Sequence, residues 1–271
     1  MKKHITLLLL LVSGFTFAQT KETRSVGPFT KIGFRVPGKL ILKQGSPQSV
    51  VLEGDKEVLE KIETDVDGNK LSIGRADKWH WNDWGWRDEK RITVYVTVTS
   101  LEGLAVSGSG DAVGSGKFST GDLDLKVSGS GSLDIEVDAK GEVKADVSGS
   151  GDLTVKGNCQ SFDSGVSGSG KVNMSGSIAG KADISISGSG RVAASGKAQQ
   201  IKATISGSGK VLAADLEVSK CEVRISGSGD VEINVKDALD ANISGSGSVT
   251  YKGNPSQVNS HASGSGHVRK M

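Results

Sequence analysis

All four tryptophans of the chain fall within eight residues, Trp79, Trp81, Trp84 and Trp86, in a run that opens at Lys78 and closes at Asp88. Indole rings this dense either stack on sugar faces or a protein partner, or plug an apolar opening. Both readings stand at this stage, and these four residues are the ligand-contact candidates. His80, Asp83 and Asp88 carry metal-donor atoms in the same run. Their spacing matches no defined metal site, so neither a metal nor a cofactor is expected.

Acids supply a second possible chemistry. Asp124, Asp134, Glu136, Asp138, Glu142 and Asp146 lie close in sequence, with Lys126 and Lys144 among them. Carboxylates gathered on one face around a base would suit cleavage of a polysaccharide. The alternative is a solvated face on which neighbours pair, for example Asp124 with Lys144. No catalytic motif accompanies the acids, and no catalytic residue is assigned. A third resource is hydroxyl: Ser-Gly-Ser-Gly occurs nine times, starting at Ser107, Ser128, Ser148, Ser167, Ser187, Ser206, Ser226, Ser244 and Ser263. Two columns of serine could meet a glycan, a mineral or ice; the plainer expectation is hydroxyl ladders that satisfy one another.

These residues must be positioned by a repeat, because the motif recurs every 18 to 21 residues. A disordered glycine-serine linker would place no apolar residues at fixed offsets. Here Val106, Val127, Val147, Val166, Ile186, Ile205, Ile225, Ile243 and Ala262 stand one residue before each copy. Ala112, Leu133, Leu153, Val172, Val192, Val211, Val231, Val249 and Val268 stand five after each first serine. Alternation extends outward from both columns with period two, the strand signature. About twenty residues span too little chain to close a separate sheet, so successive copies must stack as parallel strands about 4.8 Å apart. The expected fold is all-β, a right-handed parallel β-helix (β-solenoid) of about 19–20 residues per turn, with an irregular N-terminal part. Glycine-rich export repeats can wrap calcium through an aspartate in each turn. The residue after the motif is instead Lys171, Arg191 and Lys210 in three copies, which excludes a calcium ladder.

Residues 1–18 read as a signal peptide: Lys2 and Lys3, an apolar run to Phe17, and a small-residue cleavage site ending at Ala18. No stretch is long and apolar enough to span a membrane. Residues 19–100 are read as irregular turns with two insertions. One, Gly54 to Ile62, has Val58, Leu59 and Ile62 at helical spacing and predicts a short helical cap; the other is the tryptophan run. Val36-Pro-Gly-Lys-Leu40 and Val66-Asp-Gly-Asn-Lys-Leu71 are taken as the corners of two degenerate turns, and Ile92 to Val98 as the strand feeding the regular stack. Residues 101–271 form the regular repeat, one continuous domain with 19–100. Cys159 and Cys221 are too far apart along the stack for a disulfide; two free thiols are expected, with Cys221 buried in an inward column.

The opening Phe29, Ile32 and Phe34, the segment Val51-Leu-Glu-Gly-Asp55 with Leu59 and Ile62, Asp67-Gly68 with Leu71 and Ile73, and the apolar-Ser-Gly-Ser-Gly-x-Val turns together resemble the bacterial family of putative auto-transporter adhesin, head GIN domains. The likeness covers nearly all of the chain after residue 18. It implies an exported β-solenoid and supplies no catalytic residues. The expected role is an exported, non-enzymatic, adhesin-like binding module, periplasmic or at the cell surface. Its partner would be a surface glycan or protein, and a homo-oligomer through the final turn is possible. A carbohydrate-active enzyme on the same scaffold is the alternative. With 33 basic against 31 acidic residues, nucleic acid is not an expected partner.

Overall fold

The structure is a computed structural model, and its described residues are 20–75 and 92–271. From Gly103 onward the chain winds as a β-solenoid. β8 (Gly103–Gly108) runs into one Ser-Gly-Ser-Gly corner and β9 (Asp111–Thr120) leaves it; β10 (Leu123–Gly129) and β11 (Ser132–Ala139) repeat the pattern one coil later. Parallel pairing puts like on like: Val106 opposite Val127, Val127 opposite Val147, and Val147 opposite Val166. All four are buried. Each such side chain contributes about 1.5–3 kcal/mol on burial, so a continuous column holds the stack without a disulfide. Valine, isoleucine and leucine suit this role because their branched side chains pack well on a pleated surface.

The two glycines of each motif serve different needs. Gly149, the first of its pair, has φ 110°, a region that excludes ordinary side chains. Gly151, the second, is buried. A Cβ there would lie 2.5 Å from Val127 Cγ1 and 2.6 Å from the Gly131 carbonyl oxygen of the coil below. One glycine turns the chain and the other lets the coils close up. A second glycine column, not expected from the sequence, marks another corner at Gly157, Gly176 and Gly196, which sit in register on neighbouring coils. Gly176 has φ 145°, and a side chain on it would run into the Gly157 carbonyl oxygen.

The N-terminal part departs from the expected order. β2 (Lys31–Phe34) and β3 (Gly38–Gln44) build one complete coil. It lies between the β8–β9 coil and an outermost coil made of β6 (Lys70–Arg75) and β7 (Ile92–Val98). Spatial order is therefore not chain order. β7 does not feed the regular stack directly; it ends the parallel array. In register, Phe34 meets Val106 and Lys39 meets Asp111. Arg35-Val36-Pro37-Gly38 thus occupies the place of Ser107-Gly108-Ser109-Gly110, and the inward residue before the corner is Phe34. Val66-Asp67-Gly68, by contrast, is not a solenoid corner. β5 (Ile62–Asp67) turns at Gly68 and Asn69 and pairs antiparallel with β6, a two-residue hairpin with positive φ at its glycine.

Antiparallel strands and a helix finish this end. β4 (Ser49–Gly54) pairs with β7, and β1 (Thr20–Arg24) pairs with β4. α1 (Lys56–Leu59) is the short helix expected between Gly54 and Ile62. Its Val58 and Leu59, with Ile62, are buried and join the core; Arg24 donates to the Leu59 carbonyl at 2.8 Å. At the opposite end nothing comparable covers the described residues. In Gln257–Gly264 every residue is exposed, and the inward-column Val258 is 41% accessible.

Candidate functional site

The serine edge follows from the corner. Both motif serines flank the positive-φ glycine, and from Ser128 to Ser265 all of them are exposed. Equivalent serines on neighbouring coils stand about 4.8 Å apart, beyond hydrogen-bond reach. Among the described residues no motif hydroxyl bonds to another, so the expected ladder of mutually satisfied hydroxyls gives way to hydroxyls open to solvent. Beside them runs the outward row two residues before the motif, where Gly165, Ser185 and Thr204 follow Asp146 in register. With Ser148, Ser167, Ser187 and Ser206 they line a shallow depression of about 460 Å³. Side chains are small here and charge is confined to its Asp146 end.

A second surface lies on the strands that lead into the motif. Two outward rows, four and six residues before each motif, bound a trench along the solenoid axis. Its first stretch, about 590 Å³, includes Glu102, Asp122, Asp124 and Glu142 against Lys31 and Lys144. Further along, a stretch of about 520 Å³ includes Lys181, Lys202, Lys220 and Arg224 against Glu222 and Asp240. The two stretches therefore have opposite charge balance.

The acids singled out in the sequence do not converge. Asp124, Glu142 and Asp146 lie on strands entering the corner, whereas Asp134, Glu136 and Asp138 lie on β11, which leaves it. Asp124 and Lys144 are register neighbours, yet each is paired along its own strand. Lys126 reaches Asp124 at 2.7 Å, and Lys144 lies 3.8 Å from Asp146. A side chain two residues along a strand shares the same face, so this contact needs no reach across coils. Asp134 pairs across coils with Lys156 at 3.1 Å. Burial, first, pushes the Asp146 carboxyl up, with partial relief from Lys144. Among the described residues no group of three or more His, Cys, Asp or Glu is placed to hold a metal.

Both cysteines are free and buried. Cys221 sits in the inward column between Ile201 and Leu239, and burial pushes its thiol up to about 12. Cys159 lies on the other side of the corner, beside Ile178, and burial raises its thiol to about 11. Neither is primed for reaction, since the thiolate is the nucleophile.

Trp79, Trp81, Trp84 and Trp86, with His80, Asp83 and Asp88, lie outside the described residues, as does the proposed signal peptide. Their flanks are placed. β6 enters and β7 leaves where later coils carry Ser-Gly-Ser-Gly, because Ile73 pairs with Phe34 and Ile92 with Gly38. No helix among the described residues is long and apolar enough to cross a membrane.

Solved structures share this architecture. A putative lipid binding protein from Parabacteroides distasonis is 21% identical with a TM-score of 0.69, covering 93% of this chain and 96% of its own. A putative adhesin from Parabacteroides merdae is 20% identical with a TM-score of 0.66, over 93% and 96%. Another putative adhesin from P. distasonis is 22% identical with a TM-score of 0.65, over 94% and 97%. At these identities the likeness establishes the fold alone. Among curated proteins no match is found. The model of one family matches residues 28–194 and 181–255, most of the sequence, and the chain belongs to that family, described as putative auto-transporter adhesin, head GIN domain.

Proposed function

We propose that this protein is an exported, non-enzymatic, adhesin-like module that binds a surface glycan or protein. One observation carries the reading. The coil built by β2 and β3 turns at the equivalent place with Arg35 and Pro37 where the repeats have serine, so a turn at this place does not require hydroxyls. Their exposure on coil after coil is then a property of the surface. The tryptophan run is proposed as the second contact element. Its flanking strands β6 and β7 end and begin at the motif edge, while Val58, Leu59 and Ile62 already join the core at that end. Export rests on the signal-like residues 1–18 and on the family, with the periplasm or the cell surface as destination. The alternative, a carbohydrate-active enzyme, is disfavoured by the division of its acids between two faces of the stack.

The test is a glycan and cell-surface binding screen of the purified protein beside a variant with Trp79, Trp81, Trp84 and Trp86 all changed to Ala. The expected result is saturable binding without release of reducing ends, lost in the variant while its melting temperature holds. Turnover of a polysaccharide would overturn the non-enzymatic reading. A fall in melting temperature with binding intact would return the tryptophans to a packing role.

A further inference from the structure

We propose that the basic stretch of the axial trench binds a linear polysaccharide carrying carboxylates, laid along the solenoid axis. This deepens the binding-module reading and rests on it.

The trench is made by register. Lys181, Gln200, Lys220, Ala238 and Gln257 follow one another on successive coils as one wall, and Asp183, Lys202, Glu222, Asp240 and Asn259 as the other. Between them the buried Ile201, Cys221 and Leu239 bring the backbone up as a floor. Two of the cations are already engaged on their own strands: Lys181 with Asp183 at 2.7 Å and Arg224 with Glu222 at 2.8 Å. The Asp240 carboxylate accepts from Asn242 at 2.9 Å. Asp183, Glu222 and Asp240, the three acids of the two walls, are thus all partnered. Lys202 and Lys220 have no ion pair among the described residues, and Gln200, Gln257 and Asn259 make no side-chain hydrogen bond there. Two unspent cations and three unspent amides face one groove.

Ligand shape and chemistry follow from this set. The groove runs straight across several coils and repeats at about 4.8 Å, close to the length of one sugar in an extended 1,4-linked chain. A polymer of uronic acid would advance roughly one unit per coil, its carboxylates meeting Lys202 and Lys220 and its hydroxyls meeting the amides. The other stretch of the trench, with Glu102, Asp122, Asp124 and Glu142, would repel such a chain, so charge restricts it to the basic stretch.

The experiment measures binding of the purified protein to polygalacturonate and to alginate at about 150 mM salt, a strength that screens exposed charges beyond roughly 8 Å. Neutral xylan and single-stranded DNA serve as comparison polymers. Lys202→Glu with Lys220→Glu is expected to weaken polyuronate binding at least tenfold without lowering the melting temperature, since both side chains lie at the surface. Gln200→Ala with Gln257→Ala should weaken it less, and Glu142→Gln should leave it unchanged. Equal binding of DNA would overturn the proposal by reducing it to general polyanion attraction. Polyuronate binding that survives the lysine changes would also overturn it. Binding to neutral glycans alone, lost with the tryptophans, would end the trench inference and leave the binding module standing; binding to no surface or polymer would end both.

Discussion

The coil of β2 and β3 and the coil of β8 and β9 are hydrogen-bonded neighbours in register, yet their corners share only one residue type. Arg35-Val36-Pro37-Gly38 stands against Ser107-Gly108-Ser109-Gly110. The fourth-position glycine persists in both. A Cβ on Gly38 would lie 2.5 Å from the Ile92 carbonyl oxygen, and Gly151 meets the same kind of obstacle in the repeats. Close approach of one coil to the next is therefore the common requirement. The serines and the first glycine belong to the repeat alone.

The largest expected effect concerns the second corner, which the N-terminal coils lack. Gly176→Ala forces a side chain onto a positive-φ position and into a carbonyl oxygen, and should cost about 4 kcal/mol in denaturant unfolding. A silent substitution would mean this corner yields. Gly151→Ala and Gly38→Ala are each expected to cost about 2 kcal/mol. If the repeat glycine proves costly and Gly38 does not, the two corners are not built alike. Ser164 breaks the apolar pattern of its inward column, between Ala145 and Ile184, and its buried hydroxyl has no partner among the described residues. Ser164→Ala should stabilise by about 1 kcal/mol, because an unsatisfied buried group is removed; a loss of stability would reveal a bond to its hydroxyl. Changing Ser148, Ser167, Ser187 and Ser206 together to Ala should move stability by no more than about 0.5 kcal/mol per site. A larger loss would make the hydroxyls structural and weaken the functional reading.

The smallest effect is a pH dependence. The Ser248 hydroxyl first, and after it Lys210, hold the Asp230 carboxyl below the usual carboxylate range against the opposing effect of burial. A depressed pKa contributes stability that is present above the ordinary value near 4 and is lost as pH falls through the folded value. Ser248→Ala should therefore make the melting temperature fall less steeply on the acid side of pH 4. An unchanged acid limb would remove this hydrogen bond from the account.

Much of the stack was legible because its physics is periodic. The residue before each motif, the residue five past its first serine and the alternation between them predict the columns that the structure pairs one on another. Cys221 falls within such a column and is buried as its offset implies. What was not legible has no period. The hairpin at Gly68 and the insertion of β2 and β3 between later segments depend on long-range pairing, to which local pattern is blind. Phe34 and Val36 are both apolar residues near a glycine, and only register shows which of them precedes the corner. The Gly157, Gly176 and Gly196 corner is interrupted in the sequence: Gly116 and Gly253 keep the offset nine residues past the first serine, but Val137, Asp215 and Val235 stand there in the other copies. Neither wall of the trench reads as a motif, since its members are about twenty residues apart and differ in type.

Strict register between like residues makes the molecule a ruler with one fixed end. Removing the segment 148–166 would join Val147 to Ser167, and the new neighbours would meet through the same valine column and glycine corner. Reach can thus change in steps of about 4.8 Å, one coil at a time, while the base formed by α1 and the antiparallel strands stays as it is. Selection on length would then act by whole-coil duplication or deletion, and each such event would also add or remove one pair of exposed serines.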